Sequence, residues 1–184
     1  QPEWLGNGSI LVVGNPNDDR DLDRIESDIF AVDLQTLEMS RLTERDGPDS
    51  NPKVSPDGER VAYLGFDDKV LSYQQTGLYV MAADGSDPQR IAAGFDRTIG
   101  DIAWSRDGRS VYALIEDAGD MAIIEIDLDG GVERLITDVG GTSIGRPYAG
   151  GAYSVSNTSR PVFAYTVASP DKPVSRSSAT FHWS

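Results

Sequence analysis

The chain reads as short apolar runs separated by tight polar turns. Arg60-Val61-Ala62-Tyr63-Leu64 is a β-branched and aromatic run of strand length, and it follows Ser55-Pro56-Asp57-Gly58. Pro56 presets φ for a turn, Asp57 can bond its own backbone and Gly58 accepts positive φ, so the segment predicts a hairpin. The pattern returns as Trp104-Ser105-Arg106-Asp107-Gly108-Arg109-Ser110-Val111-Tyr112 and, earlier, as Trp4-Leu5-Gly6-Asn7-Gly8-Ser9-Ile10-Leu11-Val12. The turn glycines fall at 8, 58 and 108, and an eroded copy without Asp or Gly runs from Ser156 to Tyr165. A period near fifty residues marks a repeat architecture.

Each repeat predicts four strands. In the first, a hairpin over 1–13 and a polar loop over 14–27 lead to strand 28–34 and to a strand ending at Arg41-Leu42-Thr43. The second has strand 60–65, loop 66–76, strand 78–82, the turn Asp84-Gly85-Ser86 and strand 89–92. The third has strand 110–115, a shorter loop at 116–120, strand 121–128, the turn Asp129-Gly130-Gly131 and strand 132–137. Helical periodicity is nearest at Leu22, Ile25, Ile29 and Val32, which allows a helical turn near 21–26, but the strand reading of 29–34 matches the other repeats.

Four antiparallel strands repeated around an axis make a β-propeller blade, whereas solenoid repeats are shorter with one strand each. The expected fold is therefore all-β, a partial propeller of three to four blades. Its expected units are 1–50, 51–100 and 101–150, with units starting near 3, 53 and 102 and a further blade beginning over 151–173. Residues 174–184 leave the blade pattern and are expected as a tail, with disorder allowed for. Three full blades do not close a ring of four to eight, so the chain reads as a fragment or an incomplete gene product. In such a blade the tight turns share one face, and the long connections at 14–27, 66–76 and 138–150 share the other. Binding residues concentrate on long connections held by a rigid scaffold.

Charge narrows the partners. A net charge of −14 and a pI near 4.3 disfavour nucleic acid and anionic membrane surfaces alike. The absence of cysteine removes disulfides and Cys-ligated zinc. No signal peptide opens the sequence and no apolar run approaches a membrane span, which leaves the compartment open between periplasmic or secreted and cytoplasmic.

Candidate chemistry is sparse, and no catalytic, cofactor-binding or metal-ligating residue is assigned. Gly141-Thr142-Ser143-Ile144-Gly145 matches the nucleophile-elbow spacing, but Arg146-Pro147 follows where a helix is needed. The single histidine, His182, lies near the end of the sequence, so the expectation for Ser143 is a glycine-rich interblade loop. The alternating carboxylates Asp19, Asp21 and Asp23 suit calcium in type, yet Arg24 and Phe30 stand where an EF-hand needs Gly and Glu; a solvated loop is expected. Asp67-Asp68 reads as a turn beside Gly65, and Trp4, Trp104 and Tyr153 as packing aromatics near the first strand of their units. No P-loop, dinucleotide-binding or zinc pattern is present, so no cofactor is expected.

Several stretches together resemble the propeller that caps serine peptidases of the prolyl oligopeptidase family, particularly bacterial acylaminoacyl-peptidase-like members. They are Asn51-Pro52-Lys53-Val54-Ser55-Pro56-Asp57-Gly58 with Val61-Ala62-Tyr63, then Gly65-Phe66-Asp67-Asp68, Leu78-Tyr79-Val80-Met81 and Gly145-Arg146-Pro147-Tyr148-Ala149-Gly150-Gly151. Arg41-Leu42-Thr43 is similar to the family's blade-closing tripeptide, and the likeness runs from about 28 to 173. The resemblance implies a noncatalytic propeller that gates peptide substrates and docks the α/β-hydrolase domain of a parent peptidase. It leaves Arg146 and Tyr148 as anchors between blades or as interdomain or substrate-facing residues. The Ser-Pro-Asp-Gly turn is shared with the propeller of the periplasmic Tol system, so a non-enzymatic interaction propeller is the alternative. Three further expectations follow. Gly58→Val should cost more stability than Gly85→Ala. Open terminal blades should favour self-association. Val12 and Phe163 should lie on those open faces.

Overall fold

The computed structural model describes residues 2–18, 25–141, 150–169 and 172–180. It contains no helix among the described residues. Blade 1 has β1 (Glu3–Leu5), β2 (Ser9–Gly14), β3 (Asp28–Asp33) and β4 (Met39–Arg41). Blade 2 has β5 (Asp49–Val54), β6 (Arg60–Gly65), β7 (Gly77–Ala82) and β8 (Gln89–Ile91). Blade 3 has β9 (Ile99–Trp104), β10 (Ser110–Asp117), β11 (Asp120–Asp127) and β12 (Val132–Val139). Blade 4 shows three strands, β13 (Tyr153–Val155), β14 (Val162–Ser169) and β15 (Lys172–Thr180). Within every sheet, strands pair antiparallel in sequence order. The segment expected as a tail thus contributes β15 through Thr180, because β14 supplies a ladder that its Ser-rich sequence does not advertise.

The Ser-x-Asp-Gly turns fold for a local reason. Ser55 is buried, and its hydroxyl accepts from Arg60 N at 2.9 Å and donates to Asp57 at 2.5 Å. Asp57 also accepts from Glu59 N at 3.0 Å, and Gly58 takes φ +78. Blade 3 repeats this with Ser105, Ser110, Asp107, Arg109 and Gly108 at φ +68. Blade 1 does not. Trp4 opposes Ile10 with one residue fewer between them than Trp104 and Val111, and the left-handed glycine is Gly6 at φ +61. Gly8 is therefore not the counterpart of Gly58 and Gly108. The innermost strands of blades 2 and 3 start earlier than expected, at Asp49 and Ile99, because each absorbs a left-handed residue, Asn51 at φ 51 and Asp101 at φ 38. Register shifts in both sheets mark these bulges. The loop expected at 116–120 shrinks to a turn at Ala118-Gly119, both left-handed.

Alternation then sends successive side chains to opposite faces, and the core forms in the seams between blades. Leu11 and Ile29 meet Val61, Tyr63, Tyr79 and Met81 between blades 1 and 2. Ala62, Leu64, Leu78 and Val80 meet Val111, Ala113, Ile115 and Ile124 between blades 2 and 3. Tyr112, Leu114 and Ile123 meet Phe163 between blades 3 and 4. Phe163 is fully buried there, edge-on to Tyr112 at 4.9 Å, so it does not lie on an open face. Its neighbours Val162 and Ala164 point the other way and are exposed. Trp104 and Tyr153 pin the seams. Trp104 Nε1 donates to Lys53 O at 2.8 Å, and Tyr153 donates to Tyr112 O at 2.9 Å and Asp101 O at 3.1 Å. Trp4 is 65% exposed, and by register the counterpart of Trp4 and Trp104 in blade 4 is Val155, two residues after Tyr153.

Candidate interdomain face

Strand order places the β2–β3, β6–β7 and β10–β11 connections on one face, together with the links that run from one blade to the next. The tight Ser-x-Asp-Gly turns lie on the opposite face. Three polar assemblies organise the long-connection face.

The first explains the Arg-Leu-Thr closure of blade 1. Asp28 is fully buried, receiving Arg41 Nη2 at 2.6 Å and the Thr43 hydroxyl at 3.2 Å. That hydroxyl also accepts from Ile29 N at 3.0 Å. Leu42 lies between them and packs under the turn of the next blade, where a Cβ at Gly85 would come within 2.9 Å of Leu42 O. Arg45 continues the assembly. It bonds the buried Asp49, reaches Asp67 at 2.9 Å and lies 4.0 Å from the Tyr79 ring centroid. A side chain at Gly65 would collide with both Arg45 and Asp49, which accounts for glycine ahead of Phe66-Asp67-Asp68.

The second assembly is the β6–β7 connection. Asp68 Oδ1 accepts from Val70 N at 2.7 Å and Gln74 Nε2 at 2.6 Å, while Gln74 Oε1 accepts from Lys69 N at 2.6 Å. These donors hold the Asp68 carboxyl below the usual carboxylate range, the Gln74 hydrogen bond first among them. Asp67 is occupied by Arg45, so both carboxylates serve the turn. The loop is tied to the following link by Tyr73 and Thr98 at 3.0 Å and by Gln75 donating to Asp96 at 2.9 Å. Its tip presents Val70, Leu71 and Tyr73 to solvent, with Val70 left-handed at φ 54.

The third assembly is Asp117, which holds Arg97 Nε at 2.7 Å and Arg134. The hydrogen bonds from Arg97 and Arg134 depress its carboxyl. A cleft of about 740 Å³ lies beside it, lined by Tyr73, Arg97, Asp101, Leu114, Glu116 and Met121 among others. A smaller cavity of about 280 Å³ lies among the innermost strands, between Glu3, Lys53, Trp104 and Tyr153.

Arg146, Tyr148 and Ser143 lie outside the described residues, as do His182 and Asp19, Asp21 and Asp23. The base of the loop that carries Arg146 and Tyr148 is described. Gly140 N donates to Thr166 O at 2.9 Å, and Thr166 exchanges bonds with Ala152 at 3.1 Å. A Cβ at Gly141 would come within 2.9 Å of the Gly151 backbone, so the two loop ends touch. No group of three or more metal-ligating side chains occurs among the described residues.

No family model matches the chain. It is 28% identical over 134 residues to a probable dipeptidyl-peptidase 5 of Arthroderma benhamiae, covering 70% of this chain and 18% of that protein. A shorter match, 37% over 73 residues, is to a probable dipeptidyl-peptidase 5 of Trichophyton verrucosum. The chain thus spans less than a fifth of the length of these curated relatives. Among solved structures, puromycin hydrolase superposes with TM-score 0.66 and 17% identity over 91% of this chain and 27% of its own. A putative TolB from Agrobacterium tumefaciens gives TM-score 0.63 and 20% identity over 94% of this chain and 60% of its own. The β-propeller domain of the trilobed protease from Pyrococcus furiosus gives 0.60 and 12% over 98% and 56%. The chain is a set of β-propeller blades with sequence relatives among dipeptidyl-peptidases.

Proposed function

We propose that this chain is the noncatalytic propeller segment of a serine peptidase of the prolyl oligopeptidase family, filtering peptides by size and docking the α/β-hydrolase domain of its parent. The observation that carries the reading is the 134-residue similarity to dipeptidyl-peptidase 5. The fold supports it: the β2–β3 and β6–β7 connections and the interblade links gather on one face, where the loop of Arg146 and Tyr148 is rooted between blades 3 and 4. On this reading Arg146 and Tyr148 face substrate or the hydrolase domain, and the bacterial acylaminoacyl-peptidase-like members remain the subgroup proposed. The test uses the full polypeptide that contains this segment, with a fluorophosphonate probe and peptides of graded length. The expected result is one reactive serine outside residues 1–184 and a rate that collapses as peptide length grows. A full polypeptide with no reactive serine would overturn the proposal in favour of a Tol-like interaction propeller. Labelling of Ser143 would place the chemistry within this chain instead.

A further inference from the structure

Six glycines of this chain directly follow an Asp or Asn: Gly8, Gly47, Gly58, Gly85, Gly108 and Gly130. In such a pair the glycine nitrogen can close a five-membered ring on the side-chain carbonyl carbon before it, and no Cβ shields the approach. Two conditions decide whether the ring closes. The glycine N–H must be free to give up its proton, and the side chain must be an electrophile.

Five of the six pairs fail both. Gly47 N donates to Glu26 Oε2 at 3.0 Å and Gly58 N to Ser55 O at 2.9 Å. Gly85 N donates to Ala82 O at 2.9 Å, Gly108 N to Ser105 O at 3.0 Å and Gly130 N to Asp127 O at 2.8 Å. The side chain before each of these is an aspartate, and a carboxylate resists attack by a nucleophile. Asn7-Gly8 differs on both counts. Gly8 O accepts from Leu34 N at 2.8 Å, but Gly8 N has no acceptor among the described residues. Asn7 carries a neutral amide, is exposed, and its side chain forms no hydrogen bond among the described residues. Nothing lies within 4 Å of a Cβ placed on Gly8. This exposure does not depend on a neighbouring blade: Asp57 and Asp107, at the tips of the corresponding hairpins, are exposed with a blade packed on either side.

We propose that Asn7 is a site of spontaneous deamidation in the folded protein. Hydroxide takes the Gly8 amide proton, Gly8 N bonds to Asn7 Cγ, and the Cγ–Nδ2 bond breaks. Nδ2 leaves as ammonia with a proton from water, and a cyclic imide remains. Water then opens the imide on one side or the other. Cleavage between Gly8 N and Cγ gives aspartate. Cleavage between Gly8 N and the main-chain carbonyl carbon gives isoaspartate, with the main chain rerouted through Cβ and Cγ. One water enters and one ammonia leaves, and nothing is oxidised or reduced. Either product adds a negative charge to a chain already at −14. Isoaspartate also lengthens the turn between β1 and β2 by one main-chain atom.

Ageing of the full polypeptide that contains this segment, at mildly alkaline pH in heavy-oxygen water, tests the proposal by peptide mapping with mass spectrometry. The expected result is loss of the Asn7 amide with uptake of label, and a product that an isoaspartyl methyltransferase methylates. Asp84→Asn supplies the comparison, because it makes a second exposed Asn-Gly pair whose glycine N–H is engaged. Position 84 is expected to react about tenfold more slowly than position 7, the factor that opening one hydrogen bond of typical net strength imposes. Gly8→Ala meets no neighbour, so it should keep the parent's melting temperature while slowing the loss at Asn7 several-fold. A retained amide at Asn7, equal rates at positions 7 and 84, or a loss at Asn7 unaffected by Gly8→Ala would each overturn the proposal.

Discussion

Two turn glycines of this chain look alike in sequence and differ in what surrounds them. Gly58 has φ +78 and open space, with no heavy atom within 4 Å of an added Cβ. Gly85 has φ +89, and an added Cβ would lie 2.9 Å from Leu42 O and 3.1 Å from Leu42 Cα, in the neighbouring blade. Gly58→Ala is expected to cost about 1 kcal/mol, the price of a left-handed L-residue. Gly85→Ala adds an interblade clash with backbone that cannot turn aside, and about 2 to 4 kcal/mol is expected. Thermal unfolding of the two alanine variants checks that Gly85→Ala is the costlier; the β-branched Gly58→Val is a separate comparison. In the linear sequence, Asp84-Gly85-Ser86 is an isolated turn, and nothing in it announces Leu42.

At the scale of strands, Glu125 on β11 shows how a seam carries charge. It faces blade 4 opposite Tyr112, accepts from the Ser110 hydroxyl, and has a buried oxygen with no partner. Burial first, and then the carboxylates of Asp127, Glu133 and Asp107, push its carboxyl above the ordinary 4.5. The folded state therefore binds this proton more tightly than the unfolded chain does. That contribution is full below about 4.5 and is lost as pH rises through the raised value. Glu125→Gln should remove this slope, so that the variant melts higher than the parent at neutral pH and the gap narrows toward pH 4; melting curves across pH check it.

Legibility divides along the same line between local and distant causes. Hairpins 54–61 and 104–111 were legible because Ser, Asp and Gly satisfy one another within six residues. The role of Arg41 and Thr43 was not, because their partner Asp28 is 13 and 15 residues away. In blade 1 the turn is one residue shorter, which inverts which side chains face which way, so Gly8 does not mark the position that Gly58 and Gly108 hold. The same parity hid the burial of Phe163 between blades.

Across the molecule, burial is unequal among the blades. Blades 2 and 3 are packed on both faces, and β6, β7, β10 and β11 hold most of the fully buried residues. In blade 1, β4 is exposed throughout. Native-state hydrogen exchange of the dilute monomer should therefore protect β6, β7, β10 and β11 most and β4 least, in the order expected of neighbour-coupled repeats. Uniform protection across all four blades would contradict this.

Four side-chain hydrogen bonds between blades share one property. Trp104 reaches Lys53 O, Tyr153 reaches Asp101 O and Tyr112 O, and Arg60 reaches Gly108 O at 2.9 Å. All four acceptors are main-chain carbonyls, which every residue type supplies. The donor blade must carry the right side chain, but the acceptor blade needs only a strand in the right place. At these four contacts a blade can then be duplicated, deleted or recombined beside another without a matching substitution at the acceptor position.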